Sequence, residues 1–394
     1  MAGNPAGISP DFALPPTIPG MAIPYDICIR GAGIVGRVLA LLLARERLRV
    51  ALVAPAGAAP SSATGHGDVR AYALNAASRT LLESLRCWPD EAAATPVLRM
   101  QVHGDDGGAV NFDAAEHASP ALNWIVDVPA LEARLAEAVR YQPRIEVIET
   151  PAPAALTVVC EGKASRTRAE FGVDFDVTPY PQHAIATRLT CEKPHNQTAW
   201  QWFSQGEILA FLPLDGPQGN SVAVVWSVLQ ERAPALLAAS PEEFALLLET
   251  TSRHTLGKLT PQGERASWPL QLARANRWAG PGWVLAGDAA HTVHPLSGQG
   301  LNLGLGDAAE LAHVLQAREY WRTPGDLKLL RRYERARKAD VLSTGVATDS
   351  LQQLFSLTGS PAQALRNWGM SGFDRSGPLK QWVARRAMGA RPNN

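Results

Sequence analysis

Asp288 is the residue whose surroundings point most directly to chemistry. It stands in a stretch, residues 287–304, that runs Gly-Asp-Ala-Ala-His-Thr-Val-His and then Pro295, Leu296, Ser297, Gly298, Gln299, Gly300, Leu301 and Asn302. An apolar strand, 283–286, precedes it and an apolar helical run, 301–315, follows. An acid at a strand's end, a proline-glycine turn and a helix start make a layout suited to holding a flavin. Asp288 can accept hydrogen bonds from ribityl hydroxyls. The backbone N–H groups of Gly298, Gln299, Gly300, Leu301 and Asn302 can face the pyrimidine edge of the ring. A reduced flavin is negative there, and a helix N-terminus is an electropositive array of donors.

The partner of this stretch lies far upstream. Residues 25–30 read as a short strand, followed by Gly31, Gly33 and Gly36 in the spacing G-x-G-x-x-G, an apolar helix through Ala44 and a second strand over 49–53. This is the dinucleotide fingerprint in the context it requires. Gly31 permits the tight turn, Gly33 lets backbone approach a pyrophosphate, and Gly36 lets the helix pack closely on the strand. The fingerprint normally closes with an acid about 20 residues on that binds the adenosine ribose. Ala54 stands there instead, which removes one or two hydrogen bonds worth roughly 0.5–1.5 kcal/mol each.

These motifs must be carried by a chain of 394 residues, 46% hydrophobic, enough for two or three domains and a large core. Lys plus Arg and Asp plus Glu are equal at 37 each, so nothing suggests a nucleic-acid footprint. Cys28, Cys87, Cys160 and Cys191 are scattered without metal or CxxC spacing, which fits a reducing cytoplasm. No apolar run approaches the length of a transmembrane helix. Residues 1–22, rich in Pro, Gly and Ala, read as a flexible tail. Further elements are a hairpin from 98 onward, a helix over 129–139, a buried strand at 156–160, and an antiparallel sheet over 183–226. A helix-rich stretch (229–256), a return beginning at Ser267, a long helix (326–356) and a helical tail (362–388) complete the pattern. The fold class is α/β with α+β mixing.

The chain resembles the flavin-dependent aromatic hydroxylases, and more narrowly the ubiquinone-biosynthesis hydroxylases of bacteria and mitochondria. The carrying segments are the glycines at 31–36, residues 68–78 (Asp-Val-Arg-Ala-Tyr-Ala-Leu-Asn-Ala-Ala-Ser) and residues 192–203. To these add 211–214, 287–304, 332–337 and 365–370. The resemblance implies a Rossmann-like FAD-binding domain interleaved with a β-sheet substrate domain, plus C-terminal helices. Its expected boundaries are a tail at 1–22, an FAD-binding domain from 23–90, 120–182 and 271–345, a substrate domain from 91–119 and 183–270, and a helical segment at 346–394.

Carried over residue by residue, the resemblance places Gly31, Gly33 and Gly36 on the FAD pyrophosphate and Asp288 on the ribityl chain. Pro295 and the backbone of Gly298, Gln299, Gly300, Leu301 and Asn302 would frame the ring, and Glu161 would touch the cofactor. Arg70, in what the sequence suggests is a loop before a helix, would lie near the flavin. Arg70 and Pro295 are the candidates for the catalytic centre. Three positions depart from the family pattern: Ala54, Pro129 where many relatives carry an Arg beside FAD, and Glu161-Gly162 in place of Asp-Gly. Together they are expected to loosen the hold on FAD.

The implied reaction is hydroxylation of an electron-rich ring, with NAD(P)H as hydride donor, O2 as oxidant and a C4a-hydroperoxyflavin as the oxygen carrier. The substrate would be a polyprenylphenol of ubiquinone synthesis or a related aromatic. Glu161, His195, Trp200, Trp202 and Trp226 could each touch it, although a sheet face packed with aromatics is the stronger explanation for any single one. His291 and His294 are spaced i, i+3 without a visible third ligand, so no metal is expected. The basic, apolar-interleaved segment 380–388 could rest on anionic lipid, although a solvated helix face is the commoner explanation; the expected location is the cytoplasm, extending to the inner face of the membrane, with other quinone-biosynthesis proteins as partners. Three alternatives stay open: a hydroxylase of a soluble aromatic, a non-catalytic subunit of the assembly, and a plain NAD-dependent dehydrogenase, the last leaving 287–304 unexplained.

Overall fold

The computed structural model describes residues 24–54, 68–104, 108–293 and 299–356, with side chains through Leu342. The tail at 1–22, His294, Pro295, Gly298 and the segment 362–388 with its basic stretch lie outside the described residues.

Short apolar strands come together first. Strands β1 (Tyr25–Arg30), β2 (Val50–Val53), β8 (Ile145–Ile148), β9 (Ala154–Val159), β15 (Ala279–Gly280) and β16 (Trp283–Leu285) form one sheet in the order β15-β16-β9-β1-β2-β8. All but β15 run parallel. Val50, Ala51, Leu52 and Val53 are all buried, the continuous apolar run that a strand covered on both faces requires. Helices α1 (Ile34–Arg45), α3 (Val128–Arg140) and α7 (Gln299–Gln316) lay their buried stripes together; α8 (Leu327–Ser356) packs beside α7.

A second sheet of eight strands holds β5 (Arg99–His103), β6 (Ala109–Asp113), β10 (Phe175–Cys191), β11 (Thr198–Ser204), β12 (Glu207–Leu214), β13 (Ser221–Leu229), β14 (Leu259–Ala275) and β17 (His291–Thr292). Their order is β17-β14-β10-β13-β12-β11-β5-β6. Here period-2 alternation gives the sheet two distinct faces. Trp200, Trp202, Leu209, Phe211, Val224 and Trp226 point to the far face, where α5 (Ala233–Ala238) and α6 (Pro241–Thr251) seal them. A capping box, Ser240 with Glu243, starts α6 and Pro241 occupies its first turn. Phe244 of α6 then sits 6.0 Å from the Trp226 ring. The near face carries Ala199, Leu214 and Ala223 and packs on a small sheet of β3 (Ala71–Leu74), β7 (Asn123–Asp127) and β4 (Ala94–Val97).

The expected hairpin, the helices at 129–139 and 326–356 and the antiparallel sheet are all present. Two expectations are corrected. The return does not begin at Ser267: β14 already runs from Leu259, because Pro261 pairs in register with Leu189 and Gly263 is absorbed by a register shift against β10 rather than ending the strand. Arg70 does not precede a helix directly, since β3 intervenes before α2 (Ala76–Ser84). Tyr72 and Leu74 pack on the main core while Ala71 and Ala73 join the near-face cluster. That alternation makes the segment a strand.

Phe244 is fully buried in the far-face core, with the Arg265 guanidinium 4.9 Å from its ring centroid. Phe244→Ala is therefore expected to lower the unfolding free energy by about 3–5 kcal/mol while the folded variant keeps its flavin content, read by urea denaturation and visible absorption.

Candidate functional site

The carboxyl edge of the parallel sheet is where α/β folds bind ligands, and the sequence-derived candidates converge there. At the end of β1, Gly31 has φ +114°, and a Cβ on it would stand 2.4 Å from the Cys160 carbonyl oxygen. A Cβ on Gly36 would lie 1.9 Å from the Gly31 carbonyl oxygen. Only glycine allows this turn to close. Gly33 differs: nothing lies within 4 Å of the position its Cβ would occupy, and it is the N-cap of α1 with no side chain capping the first turn. The result is a helix N-terminus with free donors and an open approach, as a pyrophosphate requires.

Asp288 follows β16, whose neighbour β9 pairs with β1, so its loop faces the same edge. The Asp288 side chain is exposed and has no hydrogen-bond partner among the described residues. Protein nevertheless surrounds it closely enough that desolvation lifts its carboxyl above the ordinary range, while His291 and Lys163 pull the other way. An accessible acid in a crowded hollow is what an acceptor waiting for a hydroxyl-bearing ligand looks like.

What holds this loop is Asp307, a residue the motif analysis missed. Its buried carboxylate accepts from the Gly287 N–H at 2.8 Å, His291 Nε2 at 2.7 Å and Arg337 Nε at 2.7 Å. Burial alone would raise Asp307; the charges of His291 and Arg337 and their hydrogen bonds overcome it and hold the carboxyl below its usual value. Gly287 itself takes φ +62°, and Val35 of α1 packs against both Gly287 and Gly304 of α7, where any Cβ would come within 2.8 Å of it. The pyrophosphate turn and the Asp288 loop are thereby fixed against each other.

Asn302 closes the other side, through its side chain rather than its backbone alone. Its Oδ1 accepts from the Asn75 N–H at 3.0 Å and the Ser78 hydroxyl at 2.6 Å, and its Nδ2 donates to the Ala73 carbonyl at 2.8 Å. Gln299 joins it at 3.3 Å from the first turn of α7, with Gly300 and Leu301 between. This ties α7 to the β3–α2 junction and so to Arg70. Asp68 grips the Arg70 guanidinium from both carboxylate oxygens, at 2.6–3.0 Å, and keeps it firmly protonated. Arg188 of β10 pairs with Asp127 at 2.6 Å and donates to the Asp68 and Arg70 carbonyls, locking the segment onto the near face of the large sheet. Tyr72 hydrogen-bonds Arg70 and feels the Asp288 charge, although burial is the main force raising its phenol. Arg70, Tyr72 and Asp288 are therefore close enough to feel one another's charge.

Other candidates are placed elsewhere. Glu161 stands at the same edge, but its carboxylate accepts from Arg30 at 3.1 Å, Ser165 at 2.7 Å and the Thr167 hydroxyl at 2.6 Å. Those hydrogen bonds outweigh its burial and keep it acidic. His195 is buried, with Nε2 2.7 Å from the Leu214 carbonyl, and burial depresses its basicity. Trp200, Trp202 and Trp226 line the far face, turned away from Arg70, because alternation along β11 and β13 sends them under α5 and α6. His291 is committed to Asp307 and stacks on Trp278 at 4.9 Å, a core histidine rather than a ligand. Pro129 sits in the first turn of α3 and has no N–H to offer there.

The open face of Gly33, the uncapped start of α1 and the unpaired Asp288 fit an FAD laid along this edge. Gly33→Ala is expected to fold with near-native stability yet to lose FAD affinity at least tenfold in a fluorescence titration, whereas Gly36→Ala fails to fold. For Asp307, a native carboxyl held below the unfolded value of about 3.9 stabilises the fold above that value, and the contribution is lost as pH falls through the native one. Asp307→Asn should therefore flatten the acid limb of a stability-against-pH curve and cost about 1.5–3 kcal/mol at neutral pH, since Arg337 loses its buried carboxylate and keeps only Asp340 as an acidic partner.

Comparison with known proteins agrees with this geometry. The family described as FAD binding domain matches residues 137–344. The 3-demethoxyubiquinol 3-hydroxylase of Escherichia coli is 31% identical, over 93% of this chain and 99% of its own length. The ubiquinone hydroxylase UbiL of Rhodospirillum rubrum is 30% identical, over 92% and 89%. The crystal structure of p-nitrophenol 4-monooxygenase PnpA from Pseudomonas putida superposes with a TM-score of 0.73 at 18% identity, covering 94% of this chain and 99% of that one, which speaks to the fold. A glycine cradle, an exposed acid beside it and relatives matched end to end lead to one conclusion: the chain belongs to the FAD-dependent aromatic hydroxylases, a family of flavin monooxygenases.

Proposed function

We propose that the protein hydroxylates the aromatic ring of a polyprenylphenol intermediate of ubiquinone biosynthesis, using NAD(P)H and O2. The observation that carries this reading is the placement of Gly33, Asp288 and the Arg70–Tyr72 pair on one edge, facing the near side of the eight-stranded sheet. The names of the most similar relatives supply the substrate class.

Bound FAD would supply hydride acceptance and oxygen activation; the chain's residues bind, orient and exclude water. The start of α1 faces the pyrophosphate, with Gly31, Gly33 and Gly36 keeping side chains out of the way. Asp288 accepts from the ribityl hydroxyls, and its raised affinity for a proton makes those hydrogen bonds the main relief for its desolvation. The start of α7, from Gln299 through Gly300 and Leu301 to Asn302, would present donors to the ring. Arg70, pinned by Asp68, contributes a fixed positive charge, with Tyr72 as a neutral phenol beside it. Glu161 acts on the cofactor through the edge it braces.

The near sheet face suits an apolar substrate. A cross-strand row runs Ala186, Val225, Ala210, Gln201. Val225 and Gln201 remain partly accessible while the alanines are covered, so small side chains leave room beside a wall with one polar group. A ring held there would have its position of attack set by pose rather than by a general base. Among the described residues no helix is long and apolar enough to cross a membrane. The protein would work at the cytoplasmic face of the membrane beside other quinone-biosynthesis proteins.

The test is purification with visible absorption, FAD added if the protein is colourless, and then introduction into a bacterial strain lacking its own demethoxyubiquinol hydroxylase. Stoichiometric flavin bands and restored ubiquinone are expected, and Arg70→Ala should cut that restoration at least tenfold at unchanged flavin content. Protein that refuses FAD would overturn the enzyme reading; flavin-loaded protein that hydroxylates only soluble phenols would overturn the substrate.

A further inference from the structure

We propose that the amino edge of the six-stranded sheet, opposite the flavin edge, is a docking face for an anionic lipid surface, anchored by Tyr320 and Trp321. The argument does not depend on the hydroxylase reading.

Three helices end on this edge. The last turn of α1 leads to the start of β2, the last turn of α3 leads to the start of β8, and α7 ends beside them, with Gln316 bonded to Glu46 at 3.2 Å. Arg144, before β8, donates to the Arg47 carbonyl at 2.9 Å. The loop from α7 to α8 is held under the same edge: Gly282, before β16, donates to the Gly325 carbonyl at 3.1 Å, and a Cβ on Gly325 would meet the Ala155 oxygen at 2.3 Å. Arg322 bridges Glu319 at 2.9 Å and Asp326 at 2.8 Å across this loop. Its backbone is thus pinned at both ends.

On that rigid loop two large aromatic rings stand in solvent. Tyr320 is 93% exposed and Trp321 66%, in edge contact with centroids 4.9 Å apart. Tyr141, at the end of α3 on the same edge, is 73% exposed. Around them Arg45, Arg47, Arg140, Arg144 and Arg318 have no carboxylate partner among the described residues; the acids of this edge are Glu46 and Glu137, both exposed, and Asp26, Glu319 and Asp326, which pair with Arg49 and Arg322. Arg45 and Arg140 also complement helix C-terminal dipoles; the exposed aromatics have no such local explanation.

Tyrosine and tryptophan beside unpaired cations are the composition of a membrane interface, where an apolar ring enters the headgroup layer and arginine meets phosphate. The anchors form a protruding tip rather than a slot, which suits a deformable surface. A second copy applied edge to edge would oppose like charges. The chain's own C-terminal segment starts far away: α8 begins at this edge and its 30 residues carry the chain about 45 Å from it.

The experiment is co-sedimentation of the full-length flavoprotein with vesicles of phosphatidylcholine carrying about 30% phosphatidylglycerol. Vesicles of phosphatidylcholine alone serve as reference, with a salt series. Binding to the anionic vesicles is expected, weakening with salt, and the double variant Tyr320→Ser with Trp321→Ser should lower it about tenfold at unchanged flavin content. Arg47→Glu with Arg144→Glu should abolish the preference for anionic lipid. Wild-type protein that ignores both vesicles would overturn the proposal and leave an acidic protein surface as the occupant. Undiminished binding by both variants would overturn it too, placing lipid contact on another segment, such as 357–394.

Discussion

A carboxylate cannot sit in an apolar interior without cations and donors around it, and Asp307 is fully enclosed. Its three donors come from different elements: the Gly287 backbone, His291 at the start of β17, and Arg337 of α8. Satisfying one side chain therefore fixes the flavin loop, α7 and α8 in a single arrangement. Arg337 also donates to the Leu303 carbonyl and lies over Gly306, where a Cβ would come within 3.1 Å of it. The glycines of α7 are explained by that close packing as much as by the cofactor. Asp288, one residue beyond Gly287, points outward because its neighbour is held inward.

The eight-stranded sheet works as a partition for the same kind of reason. Its far face gathers the tryptophans and Phe211 into a core that needs no ligand, and α5 and α6 complete it. Its near face holds Ala199, Leu212, Leu214 and Ala223 against the small sheet, with Val225 and Gln201 partly accessible beside them. Arg188 joins the halves: on β10 it reaches Asp127 and the carbonyls flanking Arg70. A charged residue in mid-strand, costly in an apolar environment, thus sets where the substrate face meets the cofactor edge.

Much of this was legible in the residues. The glycine spacing located the turn, apolar periodicity located the helices, and Asp288 announced itself by standing between a strand and a proline-glycine turn. Asp307 was missed because the apolar run around it dominated the helix assignment, although an acid on the buried stripe of Leu303, Leu305, Ala308 and Leu311 was itself a signal that something cationic must meet it. Its partner Arg337 lies in a run of charges that also suits a solvated helix face. The tryptophans were ambiguous for a geometric reason: alternation says that two faces differ but not which one looks toward the cofactor. Asn302 was noticed for its backbone, while its side chain bonds to residues 73–78, contacts no spacing rule reveals.

The departures from the family pattern fall at one end of the cofactor site. Ala54 follows β2 and bonds the Ile148 carbonyl through its backbone, so the chain course that would carry a ribose acid is intact and only the carboxylate is gone. Pro129 gives up a side-chain cation and gains a rigid first turn for α3, whose N-cap Asp127 is already engaged with Arg188. Glu161, one methylene longer than aspartate, reaches past the edge to Arg30, Ser165 and Thr167 and becomes a brace between β1 and α4 (Thr167–Glu170). The pyrophosphate turn, the Asp288 loop and the start of α7 carry no such change. An FAD bound at this edge would find no ribose carboxylate at Ala54 and would depend more on the pyrophosphate turn and the Asp288 loop. Asp307 then matters more in this chain than the motif alone requires, because its bonds to Gly287, His291 and Arg337 fix the loop on which such binding would depend.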